Sequence, residues 1–231
     1  QYGKHTPGWL GLGHALGTNL RLTATSGTAF KAPTFNELYF PGFGNPAIHP
    51  EKSRSFELGL NGKAGWGRWS FNVYETRVDD LIAFDSSTFA PANINLARIR
   101  GLETILTTQI KGWDLNMNLT LLDPENRVSG ANNGKVLPRR AKQSLRFEAD
   151  RQFGKYIMGA TLLAEGKRYD DLANTRELSG YMTIDLRAEY ALAKDWSLQA
   201  RVENLFDKDY ETAAFFNQPG RGLYMTLRYQ P

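Results

Sequence analysis

The segment that decides the fold runs Gly180-Tyr181-Met182-Thr183-Ile184-Asp185-Leu186-Arg187-Ala188-Glu189-Tyr190. Apolar and polar side chains alternate through it, and a β-strand directs successive side chains to opposite faces. One face is therefore apolar, whereas the other carries hydroxyl, carboxylate and guanidinium groups. A strand of this kind suits a wall with lipid on one side and water on the other.

The same alternation recurs from one end of the sequence to the other. It predicts about eleven strands, at 9–16, 20–26, 53–61, 66–77, 94–110, 113–122, 139–151, 156–167, 180–190, 196–203 and 223–229. On the polar face of the late strands we expect Asp185, Arg187, Glu189, Arg201 and Glu203. In a barrel these charges would line a wet interior.

The connectors between these strands alternate in length. Short ones at 17–19, 62–65, 111–112, 151–155 and 193–195 contrast with long ones at 28–52, 79–94, 123–138, 168–179 and 208–219. Tight turns at one edge and long loops at the other are typical of an up-and-down transmembrane β-barrel. Aromatic residues gather near the strand ends, as expected for the girdles at the membrane interfaces. A soluble β-sandwich, which would fold in water, is the alternative that this pattern disfavours.

An odd number of strands has a consequence for closure. Single-chain bacterial barrels have even strand counts, and a sheet edge cannot lie open in lipid. We therefore expect further strands to come from elsewhere in the protein, and any export signal to precede the segment Gln1-Tyr2-Gly3-Lys4-His5, which has no apolar core. A small self-contained porin or outer-membrane enzyme would instead need an even count.

Composition excludes several other classes. The sequence has no run of the ~18–20 apolar residues that a membrane helix needs, and its mean hydropathy is −0.46. It contains no cysteine, so disulfides and thiolate chemistry are excluded. A net charge of +4 with interspersed signs does not indicate nucleic-acid binding. The three histidines show no catalytic or metal-ligand spacing, so we predict no catalytic residue, cofactor or metal site.

Two blocks of the sequence resemble a known family. The first reads Asn204-Leu205-Phe206-Asp207-Lys208-Asp209-Tyr210-Glu211 and is followed by Gly220-Arg221-Gly222; the second reads Phe30-Lys31-Ala32-Pro33-Thr34-Phe35-Asn36-Glu37-Leu38-Tyr39, followed by Pro50-Glu51-Lys52-Ser53. Both are similar to segments of TonB-dependent outer-membrane receptors. We take Asn204, Leu205, Phe206, Asp207, Tyr210, Gly220 and Arg221 as the C-terminal signature.

That resemblance implies a 22-strand barrel in the outer membrane of a Gram-negative bacterium, filled by an N-terminal plug domain. Residues 1–231 would form the C-terminal part of the barrel domain, and the plug and the remaining strands would lie outside them. The implied partners are outer-membrane lipid and lipopolysaccharide, the plug, and TonB, which acts through the N-terminal part. The implied activity is gated transport of a large ligand.

A third block is similar to the cobalamin (vitamin B-12) branch of the family. It comprises Val136-Leu137-Pro138-Arg139-Arg140-Ala141-Lys142-Gln143 and the later Arg168-Tyr169-Asp170. The resemblance implies a cobalamin ligand contacted by Arg139, whose planar fork of donors suits amide and phosphate oxygens. A second contact in that branch is a tyrosine, but Ala173 stands at the matching position, so Tyr169 is the substitute we predict. Arg139 as a simple wall residue, and siderophore or haem receptors as the type of protein, remain alternatives.

Loop aromatics form a further group of candidate ligand contacts. Large planar ligands are held by stacking and burial against aromatic rings. The alternative is that these rings pack within their own loops. The residues of this group are Tyr39, Phe40, Phe43, Phe89, Phe215 and Phe216.

Overall fold

The protein is described by a computed structural model over residues 2–231. One short helix, α1 (Phe35–Tyr39), accompanies fifteen strands, which are β1 (Trp9–Leu16), β2 (Leu20–Lys31), β3 (Glu51–Ala64), β4 (Gly67–Asp85), β5 (Ala90–Ile110), β6 (Trp113–Asn126), β7 (Gln143–Phe153), β8 (Tyr156–Glu165), β9 (Arg168–Tyr169), β10 (Glu177–Leu178), β11 (Tyr181–Ala193), β12 (Trp196–Glu203), β13 (Glu211–Ala213), β14 (Phe216–Asn217) and β15 (Gly222–Tyr229). No helix among these residues is long and apolar enough to cross a membrane.

Eleven of the strands form one antiparallel sheet in which every long strand pairs with the next one along the chain. Its order is β1-β2-β3-β4-β5-β6-β7-β8-β11-β12-β15, and two small hairpins, β9–β10 and β13–β14, lie within the loops. The prediction of an all-β, up-and-down sheet of eleven strands is confirmed. The outer edges of β1 and β15 pair with no other strand among residues 2–231.

Cross-strand register gives the sheet two chemically different faces. Leu186 lies opposite Ala160 on one side and Val202 on the other, so apolar positions continue from strand to strand. Leu198 likewise lies between Tyr190 and Leu227. Because side chains alternate along each strand, the residues between them form a continuous polar face. We call the apolar face outer and the polar face inner.

Ion pairs and hydrogen bonds connect the strands across the inner face. Arg187 on β11 donates from Nε to Asp150 Oδ1 on β7 at 2.7 Å, and from Nη1 to Thr161 on β8 at 2.6 Å. Gln199 on β12 donates to Glu189 on β11 at 2.9 Å. The predicted polar-face residues therefore do share one face. Asp150 and Glu189 each accept from a donor on another strand, as suits a wall that lines a wet interior.

The apolar stripe on the outer face comes close to the height of the apolar band of an outer-membrane barrel. Strand β6 presents it clearly, because five consecutive outward positions on it are apolar. They span about 27 Å along the strand at ~3.4 Å per residue. With a strand tilt of ~40° this gives a band of about 20 Å, close to the ~25 Å of outer-membrane barrels. The five residues are Trp113, Leu115, Met117, Leu119 and Leu121.

Aromatic pairs sit at the short-turn edge of this band. Ring centroids of Tyr156 and Tyr190 are 4.7 Å apart, and those of Trp196 and Tyr229 are 4.8 Å apart. The tight turn between β5 and β6 has the backbone conformation of a short hairpin, since Lys111 and Gly112 both adopt positive φ, +51° and +80°. Two consecutive left-handed residues match the twist of a two-residue hairpin. The predicted girdle therefore exists at this edge.

Several predicted strand boundaries were wrong, and those of β4, β5 and β7 affect the loop end most. Residues 79–94 are mostly strand, because β4 and β5 continue as a paired hairpin to Asp85 and Ala90, with Asp80 in a left-handed conformation where the ladder skips a residue. Apolar side chains on this extension pack under the loops, and their burial stabilises the extended pairing of β4 with β5. Conversely, β7 begins at Gln143 and not at Arg139, which follows a proline and has φ +57°.

Candidate ligand-binding site at the loop end of the sheet

The long loops pack together over the inner face at the outer end of the sheet. A small apolar cluster, which we call the loop core, holds them there. Leu137 and Ala97 in it are fully shielded from solvent. Such burial stabilises each side chain by roughly 1–3 kcal/mol and makes the loop end an ordered structure. The loop core consists of Val78, Leu81, Ile94, Ala97 and Leu137.

Asparagine side chains fasten neighbouring loops to one another. Asn45 donates to the carbonyl of Pro91 at 2.9 Å, which joins the β2–β3 loop to the β4–β5 hairpin. Asn174 both donates to the carbonyl of Val136 at 2.9 Å and accepts from its N–H at 2.8 Å. An amide side chain can bond a backbone N–H and a backbone C=O at the same time. The amide of Asn174 therefore pairs with Val136 as a neighbouring strand would. These contacts give the loops defined relative positions.

Asp170 joins three loops at once. Its side chain is 3% exposed, and its Oδ1 accepts from Arg139 Nε at 2.7 Å and from the backbone N–H of Ala214 at 3.1 Å. Its own N–H donates to the carbonyl of Arg176 at 2.9 Å. A buried carboxylate is stable only when its oxygens are paired in this way. Asp170 therefore ties the β6–β7, β8–β11 and β12–β15 loops together.

Arg139 and Tyr169, the two predicted ligand contacts, are brought together. The backbone N–H of Arg139 donates to the carbonyl of Tyr169 at 2.6 Å. The guanidinium of Arg139 lies over the ring of Phe84, 4.6 Å from its centroid, and the side chain remains 35% exposed. Within residues 2–231 neither Nη group donates a hydrogen bond. Arg139 is thus oriented by its Nε bond to Asp170 and by its contact with the ring of Phe84. Its two Nη groups are left available to bind a ligand.

The ring under Arg139 belongs to an aromatic cluster. Phe43 stacks on Phe84 with centroids 6.0 Å apart, while Phe40 and Phe89 meet this pair edge-on at 6.5 Å from Phe43 and 5.4 Å from Phe84. Phe89 is 67% exposed, so the cluster presents an apolar surface to the outside. Sequence analysis missed Phe84, which was assigned to a loop. The apolar run Leu81-Ile82-Ala83-Phe84 was the available signal that the strand continues.

The other loop aromatics are not part of this cluster. Phe215 is exposed and lies beneath Arg176, whose guanidinium carbon is 4.8 Å from the ring centroid. Phe216 is exposed on β14. Tyr39 on α1 packs beside Phe35 with centroids 5.9 Å apart. Of the six predicted aromatic contacts, three therefore belong to the cluster and three lie outside it. Those in the cluster are Phe40, Phe43 and Phe89.

Arg140 directly follows Arg139, and Asp171 lies two residues after Tyr169, but both have other surroundings. Burial lowers the pKa of Arg140, and the nearby charge of Glu51 opposes that change. Burial would raise the pKa of Asp171, but N–H groups of Arg176 and Thr175 hold it below its usual range. Those bonds measure 2.7 Å and 3.0 Å and close the turn between β9 and β10. Asp171 therefore has a structural role in this loop.

Hydrogen bonds of the C-terminal signature hold the two ends of the last long loop together. We call this arrangement of Asn204, Asp207 and Gly220 the lock. Asn204, with φ +48°, donates to the carbonyl of Lys208 at 2.9 Å and accepts from its N–H at 2.8 Å. Asp207 Oδ1 accepts from the N–H of Arg221 at 2.7 Å. A side chain at Gly220 would place its Cβ 2.7 Å from that oxygen, so glycine is needed there.

The remaining signature residues support the same lock. Leu205 donates from its N–H to the carbonyl of Ile184 at 2.8 Å, which ties the lock to β11. Tyr210 stacks on Tyr181 with ring centroids 4.0 Å apart. Phe206 is exposed. This part of the sequence thus shapes the loop end and makes no approach to the aromatic cluster.

Comparison with known proteins agrees with this architecture. A family model described as TonB dependent receptor-like, beta-barrel matches residues 9–205. The chain is 31% identical over 236 residues to the vitamin B12 transporter BtuB of Photobacterium profundum and 30% identical over 238 residues to that of Vibrio vulnificus. In both cases 99% of this chain aligns, but it spans only 38% of the relative's length.

A solved structure shares the fold. The siderophore receptor PiuA from Acinetobacter baumannii superposes with a TM-score of 0.79 at 22% identity, over 96% of this chain and 35% of that receptor. Members of this family reside in the outer membrane of Gram-negative bacteria, and the two-faced sheet suits that location. The chain belongs to the TonB-dependent receptor-like β-barrel family.

Proposed function

We propose that the protein containing this chain is a TonB-dependent receptor that takes up cobalamin across the outer membrane. The observation that carries the proposal is the 31% and 30% identity to two vitamin B12 transporters over nearly the whole chain. Transport by such a receptor is a binding and gating process, and no catalytic step is part of the proposal.

The unpaired edges of β1 and β15 support the further proposal that residues 1–231 are one part of a larger barrel. Open edges expose backbone N–H and C=O groups that lipid cannot satisfy. Additional strands of the same protein, up to a total of 22, would pair with both edges. A plug domain within that barrel would contact the inner-face charges, and TonB would act on the N-terminal part.

The loop end supplies the candidate ligand surface. Arg139 has two unused Nη groups above the aromatic cluster of Phe40, Phe43, Phe84 and Phe89. An apolar ring surface beside a rigid cationic fork suits a large ligand that carries a flat macrocycle and amide and phosphate oxygens. Asp170 and the loop core hold this surface in place before the ligand arrives, which lowers the entropic cost of binding. Tyr169, adjacent to Arg139, is the second proposed contact.

Radiolabelled cobalamin tests the proposal with the full-length receptor. We expect saturable binding in detergent and TonB-dependent uptake in cells that lack another cobalamin receptor. Arg139→Ala should weaken binding about tenfold or more, because a charge-assisted hydrogen bond contributes roughly 1.5–3 kcal/mol. Arg139→Lys, which keeps a charge beside Asp170, should still fold but lose the forked geometry. Arg127→Ala, in the same loop and paired with Glu125, is the matched control.

Two outcomes separate the parts of this proposal. Uptake of a ferric siderophore or haem without cobalamin uptake would reject the ligand while keeping the receptor. Normal cobalamin affinity in both Arg139 variants would reject the assigned contact while keeping the ligand.

A further inference from the structure

A row of arginines crosses three neighbouring strands on the outer face. Arg54 on β3 lies directly opposite Arg77 on β4, which lies directly opposite Arg98 on β5. All three share the face of Leu58 and Val73, apolar band residues that lie two outward positions below the row. Like charges placed directly opposite each other in a sheet destabilise it. Such a row therefore requires a source of negative charge.

The carboxylates nearby satisfy the row only in part. Glu75 accepts from Arg77 Nε at 2.8 Å and from Arg100 Nε at 2.6 Å, so one carboxylate serves two guanidiniums. Arg98 pairs with Glu125 and, at 3.7 Å, with Asp123. Within residues 2–231, Arg54 forms no salt bridge. The side chains of Arg77 and Arg100 remain 67% and 51% exposed, so both can accept another anionic partner.

A pocket of about 600 Å³ opens between these side chains. Arg54 and Arg77 line it with Phe56 and Leu96, and the carboxylates of Glu75 and Asp79 also reach its wall. The site thus combines guanidinium groups with apolar surface, and Phe56 is the lining residue nearest the membrane band. A free inorganic anion would use only the charged part, whereas a lipid with an anionic headgroup would use both.

The location fits a lipid and no other occupant of the barrel. Strands β3, β4 and β5 have both of their neighbours within the sheet, so further barrel strands cannot cover this surface. A plug would lie on the opposite face. On strands β7, β8 and β11 the first outward positions beyond the band are Gln143, Gly166 and Gly180, which carry no charge. Strands β7, β8 and β11 therefore carry no charge at this level.

We propose that this sector binds the phosphorylated headgroup of an outer-leaflet lipid, with Arg54 and Arg77 on the phosphate and Phe56, on the band side of the arginines, against the first part of the acyl region. Guanidinium groups bind phosphate oxygens through paired hydrogen bonds. The bound phosphate offsets the repulsion between the facing arginines. The site is separate from the ligand surface at the loop end.

Native mass spectrometry of the full-length receptor in detergent tests this site with defined probes. We expect retention of bisphosphorylated lipid A, little retention of dephosphorylated lipid A, and no adduct with inorganic phosphate. The double variant Arg54→Gln/Arg77→Gln should retain lipid A at least about tenfold less, because each basic residue contributes ~1 kcal/mol at a membrane surface. Arg54→Lys/Arg77→Lys should recover part of the binding.

The matched control is Arg151→Gln, since Arg151 is also on the outer face but at the short-turn end, over the ring of Phe153. It should retain lipid A as the unaltered receptor does. Cobalamin binding, measured in parallel, should persist in all these variants and so reports their folding. Equal lipid A retention in the double Gln variant, or equal binding of the dephosphorylated lipid, would overturn the proposal.

Discussion

Leu186 and Leu137 occupy opposite environments in the same chain. Leu186, in the middle of β11, is 40% exposed on the outer face, whereas Leu137 in the β6–β7 loop is fully buried. In the wall, apolar side chains point outward to lipid and hydrogen-bonded ladders join the strands. At the loop end, apolar side chains point inward and pack on one another, as in a water-soluble protein. The two regions therefore respond differently to the same substitution.

The largest expected effect comes from emptying the loop core. Leu137→Ala should destabilise the loop end by about 2–5 kcal/mol, because it removes buried methyl groups and leaves a cavity. Hydrogen exchange should accelerate in residues 127–142 and 170–176 while the ladder amides stay protected. Leu186→Ala is the matched control and should leave loop exchange unchanged. Equal loop exchange in the Leu137 variant and the unaltered receptor would contradict the assignment of a core there.

The reciprocal test places a charge in the wall. Leu186→Arg should cost about 2–4 kcal/mol, since the residue lies near the middle of the lipid-facing band. Gln199→Arg, on the inner face beside Glu189, should cost little. Unfolding of the refolded receptor from lipid vesicles in denaturant measures both. A larger loss for the Gln199 variant would mean that the two faces are interchanged.

A smaller effect is expected from Asp170, whose side chain connects three loops. Asp170→Asn keeps the size of the side chain but removes the charge that pairs with Arg139, and should cost roughly 1–3 kcal/mol. Its readout is the coupling of three loops, so exchange should rise in residues 204–221 as well as near Arg139. Asp207→Asn, in the lock of the last loop only, provides the comparison. If exchange rises in one loop alone, Asp170 does not connect them.

The smallest effect is a response to acid. The pKa of Asp171 is below its ordinary value, so its contribution is complete above the unfolded value of about 3.9 and is lost as the pH falls through the lower folded value. Exchange at Thr175 and Arg176 should therefore rise below about pH 4. In Asp171→Asn that local increase should vanish. An increase of equal size in the variant would assign the acid response to other groups.

Sequence reasoning succeeded where one local rule sets the structure. Alternation predicted all eleven strands because lipid and water on the two sides of a wall impose a period of two along each strand. It failed at the extension of β4 and β5, where packing under the loop core and not lipid selects the residues. It also placed Arg139 in a strand, because the left-handed turn there depends on Tyr169 and Asp170, about thirty residues away.

The alternation of polar and apolar residues, together with the alternating connector lengths, was enough to predict an oriented, up-and-down sheet suited to a membrane, because both patterns are set by neighbours in the chain. The family was indicated by the resemblance of the blocks at 30–39 and 204–211 to known receptors. Only the folded structure decided that Arg139 rests on Phe84 with Asp170 at its Nε, and that Arg54, Arg77 and Arg98 form a row. These contacts join residues distant in sequence. Their geometry follows from strand register and loop packing, which no short segment encodes.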